Sequence, residues 1–203
     1  MMSFFKSLKQ AVRILKLDEK AISEVASNQN STIYALIIIL ITAFASGVAF
    51  DKRIDADNAI INPLLYVVYI VVIVGILHLL ARIASGKGQY IDLFRVIGLL
   101  FITNWVDIMV GIAVYYMGIL VHMPPVESQR LMIKVGSIIT IPVSVWKTVV
   151  SIIVVKSIYK LSSIRAVLVV VLPIITILGV ILLPMLLYLI CVFVPGCAQQ
   201  LSW

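Results

Sequence analysis

Apolar positions in this chain neither alternate nor recur every third or fourth residue; for most of its length they run together. From Ile33 to Phe50 no charged side chain interrupts 18 residues, and the 24 residues between Asp57 and Arg82 hold no charge and one histidine, His78. A run from Val96 to Val121 is interrupted by Asn104 and Asp107, and one from Val135 to Val155 by Lys147. After Arg165 no charged side chain follows, and Ala166 to Val194 is broken by Pro173 and Pro184 alone. Crossing a hydrocarbon core of about 30 Å takes about 20 helical residues. The pattern therefore predicts an all-α, multi-pass transmembrane bundle of five spans, at about 33–50, 59–81, 96–121, 135–155 and 166–194, in a membrane domain covering 31–203. Runs this long, apolar on every side, do not suit the short alternating strands of a barrel. Prolines within the spans predict kinks, not stops.

The first thirty residues follow a different rule. In "SFFKSLKQAVRILKLDEK" the cations Lys6, Lys9, Arg13, Lys16 and Lys20 are spaced three or four apart, with Phe4, Leu8, Val12 and Leu15 between them. That spacing predicts an amphipathic helix with the five cations on one face. Two placements fit it: along the inner membrane surface with the cations at anionic headgroups, or against the protein's own cytoplasmic loops. "SNQNST", residues 27–32, then supplies turn and cap residues before the first span.

Composition agrees with lipid as the solvent: 63% of the 203 residues are hydrophobic and 12% charged, with a mean hydropathy of +1.17, against about 25% charged in an ordinary globular domain. Charge adds direction. Beyond the amino-terminal five, Arg82, Lys87 and Arg95 fall in the second loop and Lys156, Lys160 and Arg165 in the fourth, while the alternate side carries Lys52, Arg53, Arg130 and Lys134. Cations collect on the cytoplasmic side, so the amino terminus is expected inside and the carboxyl terminus outside. The net charge of +7 is spread over inner patches beside lipid, which makes anionic headgroups a simpler partner than nucleic acid. No cleavable signal pattern precedes Ile33. Cys191 and Cys197 could close a disulfide across Pro195 and Gly196 or act as small hydrophobes.

The loop "ASGKGQY", residues 84–90, invites a phosphate-binding reading. A Walker-type loop needs glycine six residues ahead of its Gly-Lys step's lysine and a hydroxyl after it; Ala81 and Gly88 occupy those places. The two glycines are expected to supply a tight turn in which positive φ is cheap. His78 and His122 fall on opposite faces of the membrane, and no serine, histidine and acid can be grouped, so no metal, cofactor or catalytic constellation is expected and the chain reads as non-enzymatic.

Around this loop, "HLLARIASGKGQYIDLFRVIG" resembles the stretch between the second and third spans of the Yip-one domain family of Ypt/Rab-interacting membrane proteins, with Gly86, Lys87, Gly88, Tyr90, Phe94 and Gly98 at the matching positions. "VWKTVVSIIVVKSIYKLSSIRAVLVVVLP" is similar to that family's fourth and fifth spans, through Trp146, Lys156, Arg165, Ala166 and Pro173. The resemblance implies five spans with a cytoplasmic amino terminus and a role in membrane organisation or trafficking through protein or lipid contacts. Eukaryotic members bind prenylated small GTPases; this chain lacks their long amino-terminal region and Asp-Leu-Ala-Gly-Pro type motif, so small-GTPase binding is not carried over. It looks like the compact members found in bacteria and archaea, which implies a prokaryotic cell membrane.

An ionisable side chain in hydrocarbon costs roughly 2.5–3.5 kcal/mol on insertion scales and asks for a partner. Asp107 and Lys147 sit at similar depths counted from Arg95 and Lys156, so a contact between them is expected, with Asn104 one turn away and His78 nearer the inner surface. Such a pair commonly does no more than join helices; the other reading is a path for a proton, ion or small solute, making a small transporter or channel the alternative function. Gly75, Gly111 and Gly118 are expected to allow close helix packing, which leaves homo-oligomers open.

Overall fold

A computed structural model describes residues 4–50, 56–121 and 125–193. The helices are α1 (Phe4–Leu15), α2 (Glu19–Ser27), α3 (Asn30–Phe50), α4 (Ala56–Ile83), α5 (Tyr90–Leu100), α6 (Asn104–Leu120), α7 (Pro125–Tyr159) and α8 (Ser163–Phe193), with a 3-10 turn, Phe101–Thr103, between α5 and α6. No strand occurs among the described residues. His122, Lys52, Arg53 and Cys197 lie outside them, and with Cys197 the disulfide reading.

Among the described residues three helical stretches are long and apolar enough to cross a membrane: Pro63–Ile83, Tyr90–Val114 and Gly136–Tyr159. A fourth is reached if Glu19–Ser27 and Asn30–Ser46 count as one span, although the two are bent by 101°. Ser163–Thr176 is apolar but shorter. Helix continues through Pro63 in α4, Pro142 in α7 and Pro173 and Pro184 in α8.

The third apolar run departs most from expectation. Its helix starts at Tyr90, six residues before Val96, and is interrupted at 101–103. Leu93, Phe94 and every residue from Val96 to Leu100 are buried, and α5 is enclosed by α1, α2, α3, α4 and α7. The apolar carboxyl-terminal half of α5 is buried within the protein itself, while Asp92 and Arg95 lie on its less buried side.

The amino-terminal segment is likewise not one helix. Leu17, at φ 64°, turns the chain after α1, so Lys16 lies in the turn and Lys20 on α2, and the five cations do not share a helical face. The buried stripe of α1 is Ser7, Gln10, Ala11 and Ile14, while Val12 is 49% exposed. Phe4, Leu8 and Leu15 pack at the edge of the core. Small side chains at positions 7 and 11 let the helix approach closely, and Gln10 Nε2 donates to Glu24 at 2.8 Å. The segment packs on α2, α3 and α5 of its own chain. Lys6, Lys9, Lys16 and Lys20 remain exposed, whereas Arg13 turns to Asp18 at 2.7 Å and Glu24 at 3.4 Å.

Asp18 also caps α2, accepting from the backbone N–H groups of Lys20 and Ala21, which answers two of the donors a helix start leaves unpaired. The guanidinium of Arg13, then the backbone N–H of Ala21, hold its carboxyl below the ordinary carboxylate range. A depressed folded pKa stabilises at pH above the unfolded value and loses that contribution as pH falls through the folded one. Asp18→Ala is expected to lower the melting temperature in mild detergent by about 2–4 °C near neutrality. The difference from wild type should shrink as the pH is taken below that of ordinary carboxylates.

Helices α1, α4 and α7 end alike. Leu17, Ser85 and Lys160 have φ of 64°, 69° and 54°, each followed by an N–H that reaches five residues back: Asp18 to Arg13, Gly86 to Ala81 and Leu161 to Lys156. This is the Schellman closure, which usually takes glycine at the left-handed position. A side chain there costs about 1 kcal/mol or more, partly offset because glycine frees the unfolded chain. Ser85→Gly is therefore expected to stabilise the protein by up to about 1 kcal/mol, read from thermal unfolding in detergent.

Candidate functional site

After the 3-10 turn at 101–103, Asn104 and Asp107, three apart on one face, stand in the first turn of α6. Lys147 of α7 reaches both, its Nζ donating to Asn104 Oδ1 at 2.8 Å and to Asp107 Oδ2 at 2.9 Å. Asn104 Nδ2 in turn donates to the Tyr66 hydroxyl of α4 at 3.0 Å. Four polar groups thus run across α4, α6 and α7, with one positive and one negative charge. The Lys147 and Asp107 side chains are 25% and 32% exposed. Asp107 Oδ1 is buried without a hydrogen-bond partner among the described residues.

His78 does not join this group. It sits on α4 twelve residues beyond Tyr66, roughly 18 Å along the helix, with Nδ1 2.6 Å from the Tyr159 hydroxyl and its ring edge-on to Tyr90 at 5.9 Å. The four residues singled out by polarity in the sequence divide into a triad, Asn104, Asp107 and Lys147, and a separate histidine at the far end of α4.

That end is where the 84–89 loop docks. Ser85, not a glycine, takes the positive φ; the glycines are required by proximity. A Cβ on Gly86 would meet the Ala81 carbonyl oxygen at 2.7 Å and Tyr159 Cβ at 2.8 Å, and one on Gly88 would meet the carbonyl oxygen and Cγ2 of Ile158 at 2.8 Å each. Between them the Lys87 N–H donates to the Tyr159 carbonyl at 3.2 Å, while the Lys87 side chain is exposed. Arg82 donates to the Gly86 carbonyl and Arg165 to the Ala84 carbonyl, each at 3.3 Å. Tyr90 stacks on Phe94 with ring centres 6.2 Å apart, and its hydroxyl reaches the Val71 carbonyl at 3.3 Å. Gly98 lies against Ala35 of α3. The loop and its two aromatics lash α4, α5 and the end of α7 together.

Arg95, expected among the inner-surface cations, instead joins elements. Its Nε donates to Thr32 Oγ1 at 2.9 Å and its Nη1 to the Ala26 carbonyl at 2.6 Å and to Asp92 at 3.2 Å, holding α5 to the bend between α2 and α3. The i, i+3 spacing of Asp92 and Arg95 was the available sign that this arginine is engaged. Trp146 is a second tie, its indole N–H donating to the Leu15 carbonyl at the end of α1 at 3.2 Å. A third is Trp105, whose indole N–H meets Thr42 Oγ1 at 3.1 Å. No group of three or more histidine, cysteine, aspartate or glutamate residues that could hold a metal ion occurs among the described residues.

A chain that is helical throughout its described elements, with three or four helical stretches long and apolar enough to cross a membrane and with the loop 84–89 folded onto the helix ends, is a membrane protein of the class the sequence resembles. The sequence model of the Yip1 domain matches residues 19–184, which is most of the chain, and the protein belongs to the Yip1 domain family. Comparison with curated proteins and with solved structures gives no match.

Proposed function

We propose that this protein is a non-enzymatic, five-span member of the family in a prokaryotic cell membrane. Its amino terminus is cytoplasmic and its carboxyl terminus outside, and it works in membrane organisation or trafficking through contacts with lipids and neighbouring membrane proteins, a second copy included. One observation carries the reading: Lys147, His78 and Arg95 are each bonded to neighbouring groups of the protein, Asp107 Oδ1 alone of the triad's polar atoms lacking a partner among the described residues, while exposed cations lie on α1, α2 and the loops that follow α4 and α7. Lys147 serves Asp107 and Asn104, His78 serves Tyr159, and Arg95 serves the α2–α3 bend. Lys9, Lys16, Lys20, Lys87 and Lys160 are exposed, and a cation near an anionic membrane surface is worth about 1 kcal/mol. Six described helices, α3 to α8, with α5 and α6 joined through the 3-10 turn into one segment, overlie the five apolar runs, which supports the span count.

The alternative, a small transporter or channel, rests on the unpartnered Asp107 Oδ1. Proteoliposomes carrying a pH-sensitive dye separate the two. The interaction reading expects leak no greater than in protein-free vesicles, for wild type and Asp107→Asn alike; flux that Asp107→Asn abolishes would overturn it. Tags on the two tails are expected in opposite compartments, and tags found on one side would remove the five-span count.

A further inference from the structure

Between the end of α4 and the start of α8 lies a groove of about 400 Å³. Leu80 and Ile83 form one wall and Leu168 and Leu172 the other, with Ser85 and Arg165 at one end. Arg165 to Leu172 spans seven residues, about 10 Å along the helix, so the groove runs lengthwise as an extended hydrocarbon would. Its end is positively charged. Arg165 is exposed, and its bond to the Ala84 carbonyl at 3.3 Å tethers the guanidinium beside the groove while engaging one of its five donors. Lys87 and Lys160 are exposed at the same helix ends, and no carboxylate lines the groove. A guanidinium pairs with a phosphate through two parallel N–H bonds. An apolar trough ending in such a group matches an acyl chain joined to a phosphate, and the neighbouring exposed cations Lys87 and Lys160 favour a headgroup of net negative charge over one whose phosphate is offset by choline.

We propose that this groove binds one acidic phospholipid of the cytoplasmic leaflet, an acyl chain lying along Leu80, Ile83, Leu168 and Leu172 and the phosphate paired with Arg165. The leaflet rests on the orientation proposed above; the site rests on the groove.

Native mass spectrometry of the full chain in mild detergent, with phosphatidylglycerol or phosphatidylcholine added, tests this. One phosphatidylglycerol per chain is expected to survive conditions that strip phosphatidylcholine. Arg165→Gln is expected to weaken its retention about 10-fold, Arg165→Lys less, since a lysine cannot make the paired bonds. Leu168→Trp, which fills the trough without touching charge, is expected to reduce retention while the chain stays monodisperse with its helical content intact. Lys9→Gln, on α1, is expected to change nothing. Equal retention of the two lipids overturns the proposal, as does retention indifferent to both Arg165→Gln and Leu168→Trp, or a loss as large with Lys9→Gln. Failure of the functional reading looks different. Asp107-dependent flux or tails in one compartment would remove that reading and leave single-lipid retention standing, whereas lost selectivity with topology intact removes the groove alone.

Discussion

Gly98→Ala is expected to destabilise the protein although alanine is the better helix former. A Cβ at this position would sit 2.6 Å from Ala35 Cβ and 3.4 Å from Ala35 Cα, where α5 packs on α3 with both residues wholly or nearly buried. Ala35 has no rotamer to adopt, so relief requires the two backbones to separate. Overpacking of this kind costs about 1–3 kcal/mol, more than the roughly 1 kcal/mol that replacing a helical glycine returns. Gly98→Val adds further carbons to the same contact and is expected to prevent the native packing altogether. Ala35→Gly removes the atom in the way, so the double variant Gly98→Ala/Ala35→Gly should recover most of the loss, the Ile39 Cδ1 contact at 3.3 Å being the movable tip of a side chain. Gly75 is the control. Nothing lies within 4 Å of where its Cβ would be, contrary to the close packing expected of it, and Gly75→Ala should be neutral or mildly stabilising. Chemical unfolding in detergent, followed by helical circular dichroism, reads all four; equal effects at positions 75 and 98 would dismiss the packing argument.

What the sequence revealed and what it hid divide along a physical line. Long uncharged runs have one inexpensive conformation in lipid, because helix satisfies every backbone polar group internally, so the apolar helices could be located from hydropathy alone. Hydropathy cannot tell whether an apolar helix faces lipid or protein. The run from Val96 reads as the beginning of a span, yet Val96 to Leu100 lie in α5, which is enclosed by its own chain, and the difference is made by Gly98 against Ala35 and by Arg95 reaching Ala26 and Thr32. Periodicity was similarly incomplete for α1. It marks an amphipathic helix but does not say that Leu17 ends it or that Ser7, Gln10, Ala11 and Ile14 are the packed stripe. At the polar group, counting residues from the inner ends placed Asp107 and Lys147 at similar depth, and their atoms are 2.9 Å apart. The same counting could not see that the Tyr66 hydroxyl joins Asn104, nor that Tyr159 takes His78 away from the triad.

Lys147→Met is expected to be the most damaging single change at that triad, and Asp107→Asn much milder. The asymmetry follows from the hydrogen bonds. Removing the ammonium takes the donor from Asn104 Oδ1 and from Asp107 Oδ2 together, leaving a carboxylate whose other oxygen is already buried without a partner. An uncompensated buried charge costs about 3–5 kcal/mol in a dry interior, but these side chains are 25% and 32% exposed, and polar contacts between membrane helices average about 0.6 kcal/mol with a maximum near 1.7. A loss of about 1–3 kcal/mol is the reasoned middle. Asp107→Asn leaves Lys147 bonded to Asn104 and still offers it an amide oxygen, so its cost is expected below about 1 kcal/mol. Replacing both charges, in Asp107→Leu/Lys147→Met, should cost less than Lys147→Met alone, since no orphaned ion remains. The exchange Asp107→Lys/Lys147→Asp should recover part of what either reversal loses. Unfolding midpoints of these variants, the two single reversals Asp107→Lys and Lys147→Asp included, decide it. Equal penalties for the two neutralising single changes, with no recovery in either double, would mean that the 2.9 Å contact contributes nothing to holding α6 against α7.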